Sequence, residues 1–265
     1  MNRTPRLSKS AIEYLDHVWN FASGCTKDCA YCWARKITCR FADRYPNGFE
    51  PTLYPEAFTS PLHLKKPSIV GCVFMGDLFD DEIDADYEHV LPGPAWDPLL
   101  RHTLKDWIFG TISKCPQHRF LFLTKQPQNL AKWSPFPDNC WVGITVTNRQ
   151  MAEDACMAMA QIEATVKYIS FEPLIEPVPC KHLVGLIDWA IIGARTKPYI
   201  EPKHEWVSDI VSAADDRLLP VFLKNSMKAS LLKPDIMADH PNLLRTLDDH
   251  GIISVNVRQE MPTDG

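Results

Sequence analysis

Short apolar runs that each end in a polar or charged tip constrain this chain more than any other feature. Ile69-Val70-Gly71-Cys72-Val73-Phe74-Met75 ends at Gly76-Asp77, and Arg119-Phe120-Leu121-Phe122-Leu123 ends at Thr124-Lys125. Trp141-Val142-Gly143-Ile144 runs into Thr145, Lys167-Tyr168-Ile169-Ser170-Phe171 into Glu172, Asp188 to Ile192 into Gly193, and Pro220-Val221-Phe222-Leu223 into Lys224. Unbroken apolar runs of this length mark strands buried on both faces. An alternating stretch, His17 to Ala22, reads as an earlier first strand. Helical periodicity separates the runs, over about 30–45, 98–114, 149–163 and 203–214. Strands that alternate with helices predict an α/β fold with right-handed crossovers, here a partial (β/α) barrel of six to seven parallel strands. Ligands in such barrels sit at the carboxyl ends of the strands, where the polar tips recur.

The expected organisation is an N-terminal extension over 1–14, the barrel over 15–227 and a polar C-terminal extension over 228–265 with a short helix within 231–247. Residues 46–67 show no clear element and read as an excursion over the barrel end. At 265 residues and 45% hydrophobic content the chain is long enough for one large core. With 28 basic and 33 acidic side chains, net −5, it carries no general basic field, so a nucleic-acid partner requires a local patch. Nine cysteines behind a start of Met-Asn-Arg-Thr-Pro-Arg predict a cytoplasmic protein with reduced thiols, and no apolar run reaches the length of a membrane span.

Three of those cysteines, Cys25, Cys29 and Cys32, fall within eight residues, after the first strand and before the first helix. Three thiolates without a fourth neighbour can hold three irons of a 4Fe-4S cube and leave one iron open to an exogenous ligand. Two other readings use the same residues. The i, i+4, i+7 spacing also fits one apolar helical face. A zinc site would take Cys39 or a histidine as its fourth ligand. Gly24, Thr26, Lys27 and Asp28 are loop or helix-start residues and argue against the helical stripe. Cys39, Cys72, Cys115, Cys140, Cys156 and Cys180 are scattered and build no second cluster.

Cys25-x3-Cys29-x2-Cys32, with Tyr31 before the last cysteine, resembles the signature of the radical S-adenosylmethionine (SAM) superfamily. Over about 15–227 the chain is also similar to a phage and bacterial radical-SAM-like family. The matching stretches are Trp19-Asn20, Gly24-Cys25, Asp77-Leu78-Phe79, Leu123-Thr124-Lys125, Trp141-Val142-Gly143, Ser170-Phe171-Glu172-Pro173-Leu174, Asp188-Trp189 and Phe222-Leu223-Lys224. Where that family usually has a Gly-Gly-Glu-like turn, this chain has Gly193-Ala194-Arg195.

The resemblance implies a radical SAM type of barrel and two cofactors, a 4Fe-4S cluster on Cys25, Cys29 and Cys32, and SAM. It implies reductive cleavage of SAM to a 5'-deoxyadenosyl radical that takes a hydrogen atom from the substrate, and an electron donor of flavodoxin or ferredoxin type. It places Tyr31, Gly76, Asp77, Lys125, Thr145, Asn148 and Glu172 near SAM, with Lys125, Glu172 and Lys224 as catalytic candidates and Arg195 on the substrate side. A Lys125–Glu172 ion pair serving structure alone is the plainer reading of those two residues. Phage relatives point to DNA hypermodification, an isomerase moving an amino acid on thymine from an N-linked to a C-linked position; a phage origin would put the enzyme in the host cytoplasm. Phe41, Tyr45, Phe49, Tyr54 and Phe58 beside Arg40, Arg44, Lys65 and Lys66 form either a nucleobase-stacking surface or a hydrophobic lid. Two competing functions are radical repair or modification of another nucleobase or a peptide, with Cys180 as hydrogen donor, and a zinc-stabilised, non-catalytic binding module.

Overall fold

The apolar runs form strands. The computed structural model describes residues 6–89, 102–249 and 252–263. The strands are β1 (Leu7–Lys9), β2 (His17–Trp19), β3 (Ile69–Cys72), β4 (Arg119–Thr124), β5 (Cys140–Thr145), β6 (Val166–Phe171), β7 (Trp189–Ile192) and β8 (Val221–Leu223). Their hydrogen-bonded order follows the chain from β1 to β8, the order expected of a singly wound sheet. β2–β3, β3–β4, β6–β7 and β7–β8 are parallel pairs.

The sheet exceeds the expected six to seven parallel strands by one antiparallel strand. The sheet has eight, because Leu7-Ser8-Lys9 adds an antiparallel strand to β2. Its polar, exposed residues gave no apolar run to read, as suits a short edge strand. The chain divides into two compact units, one of residues up to 142 with 162–165, the other of 143–161 and from 166 onward.

In the first unit the core gathers on aromatic rings. Trp19 lies 4.3 Å from Phe21 between ring centroids and donates its indole N–H to the Ala57 carbonyl at 2.7 Å. Phe79 packs edge-on to Phe122 and Trp133. Helix α1 (Trp33–Arg40) is shorter than the expected 30–45, since Cys32 caps its start and Phe41 ends it. Helix α2 (Leu104–Ser113) starts at a capping box in which Thr103 and Asp106 bond each other's amides. That cap sets its beginning, and residues 98–101 of the expected helix lie outside the described residues.

The stretch 46–67 is more ordered than its composition indicated. Thr52–Leu53 pairs with Ala22–Ser23, and 3-10 turns follow at Pro55–Ala57 and Ser60–His63. The Ser23 and Tyr54 hydroxyls meet at 2.8 Å.

In the second unit Trp189 packs between Tyr168, at 5.5 Å, and Phe222, at 6.1 Å. Helices α3 (Arg149–Gln161), α4 (His204–Asp215) and α5 (Asn225–Leu231) alternate with the strands. Beyond them a helix at Pro234–Asp239 falls within the expected stretch, while the hairpin of Leu244–Asp249 with Ile252–Val257 was not legible. The chain then returns to β8, where Leu223 N–H donates to Arg258 O and Glu260 N–H to Val221 O. This return covers an otherwise open strand edge. No helix of the described residues is long and apolar enough to cross a membrane.

Candidate functional site

Gly24 sets the course of the cysteine loop. Its φ of +87° is one that L side chains rarely adopt, and a Cβ there would run into the Glu50 and Phe49 backbone. The close approach allows a parallel bridge between Gly24 and Gly76: Gly24 N–H donates to Met75 O, and Asp77 N–H donates to Gly24 O, both at 3.1 Å. The loop after β2 is thereby tied to the turn after β3. Cys25 N–H donates in turn to Phe49 O.

Cys25, Cys29 and Cys32 are all free and half-buried, whereas Cys72, Cys115, Cys140 and Cys180 are buried. The Lys27 amide donates to Cys25 Sγ at 3.3 Å and the Arg35 amide to Cys32 Sγ at 3.4 Å. Cys32 also packs beside the small apolar cluster of Ala34, Tyr45 and Met75. Burial, and next the Asp77 carboxyl, push the Cys25 thiol up to about 12, against the pull of the Lys27 amide. A thiolate at Cys25 therefore calls for a cation beside it.

Asp77 joins this loop to the end of β4. Its carboxylate accepts from the Thr124 hydroxyl at 2.9 Å, the Lys125 amide at 3.0 Å and the Phe79 amide at 3.0 Å. Burial still raises its pKa, despite those donors. Three polar strand tips, Gly24-Cys25, Gly76-Asp77 and Thr124-Lys125, thus interlock.

Two side chains outside the sequence reading, Asp80 and Gln126, complete the arrangement. Asp80, buried, accepts from the Thr26 amide at 2.8 Å, the Thr26 hydroxyl, the Glu82 amide and Gln126 Nε2 at 2.6 Å. Burial pushes the Asp80 carboxyl up, but these donors outweigh it and hold the group below its usual range. Gln126 Nε2 also reaches Cys25 Sγ at 3.7 Å. The available signal was parity: past a strand end Thr124 and Gln126 share a face, so a buried Thr124 carries Gln126 inward.

Tyr31 is half-buried, with Lys125 Nζ 6.0 Å from its ring centroid. The Lys125 carbonyl accepts from Lys27 Nζ at 2.8 Å.

In the second unit Lys224 Nζ bonds both carboxylate oxygens of Glu172, at 2.8 and 3.1 Å. Lys224 is therefore an ion-pair partner of Glu172. Gly193 leaves room for the pair: a Cβ there would come within 3.0 Å of Glu172 Cγ and 3.1 Å of Lys224 Cδ. The tips of β6, β7 and β8 meet at this contact. Thr145 is buried at the end of β5. Asn148 accepts from the Met151 amide at 2.9 Å and caps α3. Arg195 is half-buried in a short hairpin with Tyr199–Ile200, and its Nε has no partner among the described residues. Cys180 lies buried against α4, its thiol 3.8 Å from Asp209 O.

The proposed stacking surface is smaller than its composition indicated. Tyr45, Tyr54 and Phe58 are buried, Phe49 lies under the Arg35 guanidinium at 4.7 Å, and Phe41 remains exposed with Trp33.

Among the described residues no group of three His, Cys, Asp or Glu is gathered closely enough to hold a metal ion. The donor types fit an iron-sulfur group nonetheless: three free thiols on one half-exposed loop, two of them already accepting backbone N–H bonds. Cys39, the candidate fourth zinc ligand, is exposed on α1.

Residues 9–92 and 95–233 match the family described as "Protein of unknown function (DUF5131)". No curated protein matches the chain. Among solved structures it is similar to spore photoproduct lyase in a cysteine-to-alanine variant with a dinucleoside spore photoproduct, at 10% identity and TM-score 0.44 over 98% of this chain and 72% of that one. A tyrosine-to-phenylalanine variant of the same lyase gives 10% identity and TM-score 0.42 over 98% and 73%.

Proposed function

Because the chain belongs to the family described as "Protein of unknown function (DUF5131)", a description that names no reaction, we propose its function from the cysteine loop: a radical SAM enzyme on a partial (β/α) barrel. The observation that carries this reading is the interlocking of three strand tips around Cys25, through the Gly24–Gly76 bridge and the bonds of Asp77 to Thr124 and Lys125. Cys25, Cys29 and Cys32 would hold a 4Fe-4S cluster. When bound and reduced, that cluster supplies the electron that cleaves SAM to the radical which takes a hydrogen atom from the substrate.

The chain's own residues divide the remaining work. Gly76 leaves the cluster loop free of a side chain at its closest approach, and Asp77 fixes the turn beside it. Tyr31 and Lys125 border the loop and would contact SAM. Glu172 and Lys224 hold each other in a set orientation, and together they offer one acceptor and one donor to SAM or substrate. Thr145 and Asn148 complete the set proposed to bind SAM. The unpartnered Nε of Arg195 suits an anionic substrate group. The electron comes from a flavodoxin- or ferredoxin-type partner.

For the substrate we propose an aminoacylated thymine in DNA, isomerised from the N-linked to the C-linked form. Exposed Phe41 beside Arg40 would supply a stacking ring and a phosphate contact for it, and exposed Trp33 at the start of α1 a second ring.

Anaerobic reconstitution tests the enzyme class. Brown protein absorbing near ~400 nm, with release of 5'-deoxyadenosine on adding dithionite and SAM, is expected. A colourless zinc protein would overturn the reading in favour of a binding module. Deoxyadenosine formed without any rearranged nucleoside from aminoacyl-thymine DNA would remove the substrate and leave the class.

A further inference from the structure

We propose that the buried Gln126–Asp80 pair is the outer shell of the cluster site and sets the reduction potential of the iron-sulfur group held at Cys25. This rests on the radical SAM reading above. Gln126 is 3% exposed and Asp80 is 0% exposed, so the pair is shielded from water. A glutamine amide carries two N–H groups. From Gln126 Nε2, Asp80 Oδ2 lies at 2.6 Å and Cys25 Sγ at 3.7 Å. Asp80 fixes the amide and also grips Thr26, the residue after Cys25, through its amide and its hydroxyl.

The two members act with opposite sign. An N–H directed at a coordinating sulfur draws electron density from it and favours the reduced cluster. A buried carboxylate behind that sulfur disfavours the added electron. Removing the Gln126 donor should lower the potential, and removing the Asp80 charge should raise it. Both are positioning residues. A merely structural role for either would not produce shifts of opposite direction.

The test compares wild type, Gln126→Met, which keeps the length and loses the donor, and Asp80→Asn. Each full-length chain is reconstituted without oxygen and assayed for iron per chain, thermal melting and midpoint potential by EPR-monitored titration. The expected result is wild-type iron content throughout, with the midpoint shifted negative in Gln126→Met and positive in Asp80→Asn. Equal midpoints in all three would overturn the inference while leaving the cluster and the enzyme class standing. A wild-type chain that takes up no iron would sink the class itself, and this inference with it. Should Gln126→Met fail to fold, Asp80→Asn decides alone: a positive shift supports the pair's role, and an unchanged or negative midpoint overturns it.

Discussion

At the residue scale, Cys25 differs from the other two cysteines of its loop in its surroundings. Two carboxyls and a glutamine stand behind its sulfur, whereas Cys32 takes its polar contact from the start of α1. All three are nevertheless required if three irons are to be held. Cys25→Ser, Cys29→Ser and Cys32→Ser should each abolish iron retention after reconstitution, and Cys39→Ser should leave it unchanged; iron per chain is the measurement. Iron lost with Cys39→Ser would instead indicate a closed four-thiol site. Asp77 invites a stability test. Asp77→Ala strips the Thr124 hydroxyl and the Phe79 and Lys125 amides of a buried acceptor. The cost should be about 2 kcal/mol or more, read as a lower urea midpoint.

At the scale of elements, the return of residues 258–260 onto β8 has an electrostatic component. Burial pushes the Glu260 carboxyl up, but the bonds from Arg258 and the Val221 amide win and hold it below its ordinary 4.5. A depressed carboxyl contributes stability above its unfolded value and loses it as pH falls through the folded one. Urea midpoints of the wild type should therefore decline on acidification below pH 4.5, and Glu260→Gln should flatten that decline. Equal slopes would show that the backbone pairing alone carries the contact. The same region marks a limit of sequence reading. β3 to β8 were legible because strands buried on both faces are written as unbroken apolar runs. Leu7–Lys9 lies at a sheet edge, and Leu244–Asp249 with Ile252–Val257 forms a two-stranded sheet of its own; neither is written as an unbroken apolar run. Within the candidate site the strand tips were legible as charges after apolar runs. The Lys224–Glu172 partnership was not, because a tip shows where a side chain starts and not which neighbour it meets.

At the scale of the whole molecule, a net charge of −5 limits what holds a polyanion. Non-specific duplex binding depends on neutralising phosphates and weakens steeply with salt. Unmodified duplex DNA should bind no tighter than about micromolar at physiological salt by fluorescence anisotropy. Tighter binding would require a basic patch that the sum of charges conceals. DNA recognition under the proposed function would then depend on the modified base itself and on exposed rings such as Trp33 and Phe41.

The bridge between Gly24 and Gly76 bears on how portable this cysteine loop is. Its two backbones lean on each other without an intervening side chain, and residues 49 and 50 crowd the same spot. A peptide spanning only the three thiols would lose the wall that shapes it. Anyone grafting this cysteine loop into a designed scaffold would have to transplant the 75–77 corner and the 49–50 segment alongside it.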